Sequence, residues 1–210
     1  LVWIGIILSS LQQFVGINAV FYYSNTIWEA VGFSQDQAFQ TSLITTGVNV
    51  AFTVVAIALV DRVGRKPLLL VGSFGMVAML GTLTYVFGTA PISSDGQPVL
   101  DSGSGIVAML AFNIYVAFFA ATWGPVIWVL LGEMFPNRIR AAALAVAAAA
   151  QWVANFLVST AFPPLAEISL GLAYSIFTIF ALLSIPFVIR HVRETKGVEL
   201  EDMASLGRPL

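Results

Sequence analysis

The stretch that decides the fold covers residues 39–90 and reads FQTSLITTGVNVAFTVVAIALVDRVGRKPLLLVGSFGMVAMLGTLTYVFGTA. Two apolar runs, Phe39–Val60 and Leu68–Ala90, flank the short basic turn DRVGRKP. Neither run contains Asp, Glu, Lys, Arg or His. A helix needs about 20 mostly apolar residues to cross a bilayer. The pattern therefore predicts two transmembrane helices with a basic turn on one side of the membrane.

Four more runs of this kind occur on either side of that pair. Strands of membrane barrels are about 10 residues of alternating polarity, so such long continuous runs predict helices. The fold class we expect is an all-α membrane protein, with residues 1–190 forming a six-helix unit and residues 191–210 a polar tail. The six predicted spans are Val2–Tyr23, Phe39–Val60, Leu68–Ala90, Gly105–Leu131, Ala141–Phe162 and Leu170–Ile189.

The composition excludes an ordinary soluble domain. Hydrophobic residues make up 59% of the chain and charged residues only 10%, and the mean hydropathy is +0.92. A soluble domain carries about 25% charged residues, which it needs for a polar shell. We therefore expect lipid to be the main solvent and partner of this chain.

The basic residues are segregated by position. All nine lie in three connections, after spans two, four and six. The other three connections carry acidic residues but no Lys or Arg. The positive-inside rule then places the basic connections and both chain ends in the cytoplasm, and we expect a multi-pass protein of the cell membrane. The basic residues are Arg62, Arg65, Lys66, Arg138, Arg140, Arg190, Arg193, Lys196 and Arg208; the acidic ones opposite them are Glu29, Asp36, Asp95, Asp101 and Glu167.

Several kinds of chemistry have no residues to support them. The chain has no cysteine, which excludes disulfides and thiolate metal sites. The spans hold no nucleophile–base pair, metal-ligand cluster or paired carboxylates, so we predict no enzyme, no metal and no cofactor. The lone His191 is expected at the membrane edge, and no basic patch suggests nucleic acid. Because the chain begins with Leu1 and has no signal peptide, we expect a fragment of a longer protein.

Uncharged amides inside the spans need a separate explanation, because an unpaired amide in an apolar setting costs a few kcal/mol. Span one carries Gln12, Gln13 and Asn18, and the first two share a helix face with Ser9 and Gly16. Further amides lie in two other spans. They are Asn49 in span two and Gln151 and Asn155, four residues apart, in span five.

Two interpretations of these amides are open. They could bond across packed helices and simply hold the bundle together. Alternatively, with the tryptophans Trp123 and Trp128 of span four, they suit a neutral polyol: amides bond its hydroxyls and an indole face packs against its C–H groups. An ion or a carboxylate would fit poorly, because no charge lies within a span.

Two spans carry residues that interrupt helices. Gly16 weakens span one just before Asn18 and permits a local bend. Pro125 removes a helix hydrogen bond, so span four is expected to be kinked or broken near its middle. Interrupted spans of this kind point to the binding site of a transporter.

Five motifs, in this order along the chain, resemble the sugar porter family of the major facilitator superfamily. The resemblance covers almost the whole chain and corresponds to the C-terminal half of that twelve-helix fold. The tail motif departs in one place, since Val192-Arg193 stand where a proline is usual. The motifs are Gln12-Gln13-Phe14-Val15-Gly16-Ile17-Asn18 with Tyr22-Tyr23; Asp61-Arg62-Val63-Gly64-Arg65-Lys66; Trp123-Gly124-Pro125-Val126-Ile127-Trp128 with Glu133-Met134-Phe135-Pro136 and Arg138–Arg140; Gln151-Trp152 with Asn155; and Arg193-Glu194-Thr195-Lys196-Gly197.

The resemblance implies transport of a neutral monosaccharide by alternating access, with a second, N-terminal six-helix half as partner. It implies two sets of functional residues. The residues expected to bind sugar or line its site are Gln12, Gln13, Asn18, Asn49, Trp123, Trp128 and Gln151, with Trp152 and Asn155 in second place. The residues expected to form a charged cytoplasmic latch are Asp61, Arg62, Arg65, Lys66, Glu133, Arg138 and Arg140.

Two alternatives remain open within this interpretation. The transporter could be a facilitator or a proton symporter, and a proton would then be a second partner. A non-transporting sugar sensor of the same fold is the other alternative, although the tail of about twenty residues is short for signalling.

Overall fold

The computed structural model describes residues 1–93 and 98–197, so the predicted loop charge Asp95 and the tail residue Arg208 lie outside the described residues. Within that part, the chain is helical apart from short connections and one isolated bridge between Ile92 and Pro98. The predicted all-α class is confirmed. The helices are α1 Val2–Phe14, α2 Ile17–Tyr22, α3 Ser24–Ala30, α4 Gln35–Val63, α5 Arg65–Thr89, α6 Ser102–Ala121, α7 Trp123–Met134, α8 Arg140–Ile168 and α9 Leu170–His191.

Six helical segments are long and apolar enough to cross a membrane, and two of them are composite. Span one consists of α1 and α2 (Val2–Tyr22), and span four of α6 and α7 (Ser102–Met134). Several helices continue beyond the apolar runs, because polar residues can cap a helix as well as end it. Ser34 and Gln37, for example, form a reciprocal capping box that starts α4 at Gln35.

Span one bends where glycine was expected to weaken it. Gly16 adopts φ 88°, in the left-handed region, and separates α1 from α2. A Cβ at this position would collide with the ring of Phe177 on α9. Only glycine therefore fits both the backbone and the space.

Span four breaks at Thr122 (φ −136°, ψ −87°), three residues before Pro125. The proline ring clashes with the carbonyl four residues earlier, that of Ala121, so the disturbance falls on the preceding turn. Pro125 itself sits in the first turn of α7, where a missing N–H costs little. The expected break is confirmed, and its position follows from the direction of the helix hydrogen bonds.

α5 lies at the centre of the unit, packed between α9 and α6. Its approach to α9 is close enough that a Cβ at Gly171 would lie 2.6 Å from the Cα of Gly88. Small residues of this kind let helix backbones touch in a membrane. α4 and α8, in contrast, leave wide apolar faces open, including Ile57 and Phe156, each 67% exposed.

The described basic connections meet at one end of the bundle. Arg65, at the start of α5, bonds Glu133 near the end of α7, and Lys66 Nζ donates to the carbonyl of Ile189 near the end of α9. At the other end, the backbone N–H of Leu100 donates to the carbonyl of Val31. Six successive crossings explain this alternation.

Candidate binding site

The amides of span one lie on the buried side of the bend. Gln12 is 2% exposed and Gln13 is 3% exposed, both near the end of α1. Asn18 follows the bend, in the first turn of α2, and is half-buried. The bend therefore brings the two amides of α1 and the amide of α2, which follows them by six and five residues, to one place.

These amides form a continuous chain of hydrogen bonds with α8. Gln13 Nε2 donates to Gln12 Oε1 at 3.5 Å. Asn18 Nδ2 donates to Gln13 Oε1 at 2.6 Å and to Asn155 Oδ1 at 3.0 Å. Ser159 Oγ also donates to Asn155 Oδ1, at 3.3 Å. The structure thus joins three predicted site residues to Asn155, which the sequence placed second.

The other end of the amide chain meets the break in span four. Gln12 Nε2 donates to the carbonyl oxygens of Trp123 at 2.9 Å and Gly124 at 3.1 Å. Both carbonyls belong to the first turn of α7. The amide chain therefore links the two interrupted spans to each other and to α8.

The indole of Trp123 does not line an open surface. Its side chain is fully buried, and Nε1 donates to the carbonyl of Leu69 at 2.9 Å and to Ser73 Oγ at 3.1 Å, both on α5. Ser73 Oγ in turn accepts from Ser184 of α9 at 2.7 Å. Trp123 was expected to line the site, but in this structure it anchors the start of α7 and contributes its carbonyl.

The remaining predicted residues lie on α4, α7 and α8 and are at least partly exposed. Gln151 is half-buried one turn before Asn155 on α8, and Trp128 is 36% exposed on α7. Asn49 is half-buried on α4, and among the described residues its side chain makes no hydrogen bond. Trp152 is 66% exposed and lies three residues before Asn155 on α8.

Two residues of α6 make polar contacts that were not among the predicted site residues. The hydroxyl of Tyr115, fully buried, donates to the carbonyl of Val15 at 2.8 Å and so satisfies the backbone at the bend. Asn113 accepts from Thr45 of α4 at 3.0 Å. Asn113 lies inside a predicted span, so an amide within an apolar run is the signal that marks it in the sequence.

A second cluster of polar residues surrounds Arg65, which is 7% exposed. Its guanidinium binds Glu133 through two bonds, Nη2 to Oε1 at 2.6 Å and Nε to Oε2 at 2.9 Å. It also contacts Asp61 at 2.9 Å and the carbonyl of Val60 at 3.0 Å. Thr195 Oγ1 donates to Glu133 at 2.6 Å. The two bonds between Arg65 and Glu133 form a bidentate pair, which is a strong geometry for an arginine and a carboxylate.

Glu194, from the segment after α9, caps the start of α5. Its two carboxylate oxygens accept from the backbone N–H groups of Arg65 and Lys66, each at 3.0 Å. Pro67 follows and has no N–H, so the carboxylate takes the available donors of this helix terminus. Partial burial raises the pKa of Glu194, but four backbone N–H donors outweigh that effect and hold its pKa below the usual range.

The other predicted basic latch residues bond backbone carbonyl oxygens or contact no acidic group. Lys66 Nζ reaches the carbonyl of Ile189. Arg140 Nε donates to the carbonyl of Phe135 at 3.1 Å, and its Nη2 is buried with no partner in the described chain. Arg62 and Arg138 are exposed, and neither guanidinium contacts an acid within residues 1–93 and 98–197.

Replacing Glu194 with glutamine is expected to make the protein lose less stability in acid than the unchanged protein does. Because the folded-state pKa lies below the ordinary 4.5, the carboxylate stabilises the fold above that pH, and the contribution is lost as pH falls through the lowered pKa. The fall in Tm between roughly pH 6 and pH 3 should therefore be smaller in the variant. The exposed Glu29→Gln variant is the control, and equal falls in all three proteins would contradict the prediction.

The chemistry of the first cluster is that of uncharged donors and acceptors. The described residues contain no group of three or more His, Cys, Asp or Glu that could hold a metal ion. The amides can bond hydroxyl groups without favouring either sign of charge.

Comparison with known proteins identifies related chains. The family profile described as "Sugar (and other) transporter" matches residues 1–206. The chain is 53% identical over 97% of its length to the "Glucose transport protein" of Synechocystis, of which it covers 43%. It is 43% identical over 98% of its length to the "D-xylose-proton symporter" of Escherichia coli K12, of which it covers 41%.

A solved structure resembles the fold closely. It is a proton:xylose symporter of the major facilitator superfamily bound to 6-bromo-6-deoxy-D-glucose, which superposes with a TM-score of 0.85 at 42% identity. The superposition covers 99% of this chain and 43% of the symporter. The chain thus spans about two fifths of the length of the relatives it matches, and its six helices are half of a major facilitator fold.

Proposed function

Because this chain belongs to the sugar (and other) transporter family, the sugar porters of the major facilitator superfamily, we propose that it forms the substrate-binding C-terminal half of a transporter for a neutral monosaccharide. The family consists of transporters rather than enzymes. The observation that carries the proposal is the amide chain through Gln12, Gln13, Asn18 and Asn155, which joins both interrupted spans in a region without charge.

The amide chemistry favours a sugar over other small solutes. Each amide offers two donors and an acceptor, which matches the alternating character of vicinal hydroxyls. Relatives are named for glucose, xylose and arabinose. Half-exposed Trp128 and half-buried Gln151 and Asn49 provide further contacts around the same substrate. Uncharged hydrogen bonds give moderate affinity, which allows release on the far side of the membrane.

Transport by alternating access needs a second wall for the site. We propose that a second, N-terminal six-helix half covers the amide face, and that the exposed apolar faces of α4 and α8 are divided between this half and lipid. The two halves would rock about a site near the bilayer midplane. The Arg65 cluster lies at the basic end of the bundle, which we place in the cytoplasm of a cell-membrane protein with both ends of this chain inside.

Two modes of transport use the same site in this chain. Facilitated diffusion needs only the sugar gradient, whereas symport also needs a proton site. Sugar uptake with and without a protonophore separates them, because only symport loses accumulation when the proton gradient collapses.

Replacing Gln13 or Gln151 with alanine is expected to weaken monosaccharide binding about tenfold, because each change removes a hydrogen-bond partner in a desolvated site. The measurement is uptake of radiolabelled D-glucose and D-xylose by cells that express the intact transporter. Gln40→Ala, an exposed amide on α4, is the matched control for the loss of an amide group. Wild-type uptake in both site variants, with normal membrane insertion, would refute the site.

A further inference from the structure

Three aromatic rings form an exposed ledge at the basic end of the bundle. Trp3, in the first turn of α1, lies edge to face with His191 at 5.1 Å between ring centroids and with Phe187 at 6.1 Å. His191 stacks on Phe187 at 4.9 Å. Trp3 is 49% exposed, and His191 is the exposed last residue of α9. Indole rings in such positions favour the boundary between hydrocarbon and lipid headgroups.

The aromatic ledge is one end of a longer seam between α1 and α9. Further along both helices, Phe14 stacks on Phe180 at 4.7 Å. Trp3 and Phe14 are eleven residues apart on α1, and so are Phe180 and His191 on α9. Eleven residues make three helical turns, so each pair shares a helix face, and they rise about 16 Å. This length is close to the depth of one leaflet, which is half of a hydrocarbon core of roughly 30 Å.

The far end of this α1–α9 seam opens into an apolar cleft. The cleft has a volume of about 150 Å³ and lies between Phe14, α8 and α9. All its lining residues are hydrophobic, and two of them on α8, Leu157 and Ala161, are exposed on the surface of the unit. A water molecule would find no polar partner there. The cleft therefore suits a hydrocarbon chain.

Basic side chains gather beside the aromatic ledge. Arg190 precedes His191 and is exposed. Lys66 Nζ donates to the carbonyl of Ile189 at 2.8 Å, which leaves two of its three protons for another acceptor. In the part of the chain that the structure describes, no carboxylate forms a salt bridge with either cation. Glu194, the acid of this corner, directs its oxygens at four backbone N–H groups. A phosphate group could accept hydrogen bonds from both cations.

We propose that the α1–α9 seam binds one phospholipid with an anionic headgroup. The phosphate contacts Arg190 and Lys66, the glycerol region lies on the aromatic ledge, and one acyl chain follows the seam into the cleft at Phe14. The lipid belongs to the leaflet at the basic end of the bundle, which is the cytoplasmic leaflet in the proposed topology. Charge, ledge and cleft follow one another over the depth of one leaflet, as the parts of a phospholipid do. The site does not depend on which solute the protein transports.

The headgroup contact is tested with the intact transporter in phosphatidylcholine bilayers that contain a trace of spin-labelled lipid. The protein should immobilise spin-labelled phosphatidylglycerol in preference to spin-labelled phosphatidylcholine. Arg190→Gln should lower this preference about fivefold, which corresponds to about 1 kcal/mol for one basic residue near an anionic surface. Arg138→Gln is the matched control, because Arg138 is an equally exposed arginine in another basic connection. The control variant should keep the preference.

Three outcomes of this experiment would overturn the proposal. Equal losses in the two arginine variants would mean that the basic end attracts anionic lipid without a defined site. The absence of any preference in the unchanged protein would mean that another occupant, such as the proposed N-terminal half, covers the ledge. Displacement of the labelled lipid by glycerol phosphate, compared with chloride at equal ionic strength, would mean that the site takes a free anion, since glycerol phosphate has no acyl chain.

The chain contact is tested by filling the cleft. Ala161→Phe should remove roughly half or more of the preference for phosphatidylglycerol, because packing of a chain in the cleft keeps its headgroup at the ledge. Ala145→Phe, at an exposed alanine of α8 outside the cleft, should leave the preference unchanged. If Ala161→Phe does not fold, the smaller change Ala161→Leu replaces it. An unchanged preference in the folded cleft variant would overturn the proposed path of the acyl chain.

Discussion

Replacing Gly16 with alanine is expected to lower the free energy of unfolding by about 3 kcal/mol, the sum of a backbone and a packing effect. The backbone at Gly16 has φ 88°, where a residue with a Cβ costs roughly 1–2 kcal/mol. The Cβ would also collide with the ring of Phe177, and overpacking of this kind costs about 1–3 kcal/mol. Phe177 stacks on Phe162 and meets the edge of Tyr174, so its ring has little room to move.

The same substitution is expected to abolish monosaccharide binding. The bend at Gly16 turns Asn18 towards Gln13 and Asn155, and a helix straightened or shifted by the alanine would separate these groups. Thermal unfolding of the detergent-solubilised protein measures the first effect, and uptake of labelled D-glucose measures the second.

Gly47→Ala is the matched control for Gly16→Ala. Gly47 lies within α4, and no atom lies within 4 Å of the Cβ it would gain. In a helix, alanine is favoured over glycine by roughly 0.5–1 kcal/mol, so stability should be unchanged or slightly higher. The double variant Gly16→Ala, Phe177→Leu should regain the packing part of the loss alone. Equal effects at both glycines would contradict this account of the bend.

The spans could be predicted from the sequence because burial in lipid imposes a demand that composition alone reveals. Every backbone group in hydrocarbon must be bonded within its own helix, so long charge-free runs have one solution. The connections obey no such demand. The short helix α3 fell in a predicted loop, because its residues Ser24–Ala30 mix polar and apolar types and gain stability from packing against α4.

The residues of the proposed site differ in how far the sequence alone points to them, and the reason lies in the range of the interactions. The amides of span one and Gln151 stand out one by one, because polarity in an apolar run is visible locally. Asn155 becomes a central member only through its bond to Asn18, 137 residues away in sequence. Trp123 and Trp128 are both tryptophans, yet the neighbours of Trp123 on α5 bury it completely. Neither outcome follows from spacing along one helix.

At the basic end of the bundle, too, local features could be predicted from the sequence, whereas contacts between distant residues could not. Segregation of Lys and Arg could be predicted because charge cannot remain in the spans, and Glu133 was predicted beside it. The contributions of Glu194 and Thr195 could not, since they lie 129 residues after Arg65 and 62 residues after Glu133 respectively. Contacts between the ends of different helices depend on how the helices pack against one another, and the pattern of apolar runs does not reveal this packing.

Replacing Glu133 with glutamine is expected to destabilise the protein by about 3 kcal/mol. This is the lower end of the loss found when one partner of a buried ion pair is removed. Arg65 is 7% exposed and would keep its charge, but it would lose both short bonds to a carboxylate. The remaining acid, Asp61, has a side chain that is 80% exposed and can offset the buried charge only weakly. Chemical or thermal unfolding in detergent provides the measurement.

Asp61→Asn is the matched variant, because it removes the same charge from the same arginine on the solvent side. Its pair with Arg65 is exposed on one side and screened by water, so the expected loss is about 0–1 kcal/mol. The difference between the two variants therefore depends on burial rather than on the number of charges. Similar losses in both would mean that Arg65 is solvated in the protein, and Glu133 would then have no special part in holding α7 to α5. A large loss in Glu133→Gln alone would show that this buried pair, rather than the exposed pair with Asp61, holds α7 to α5.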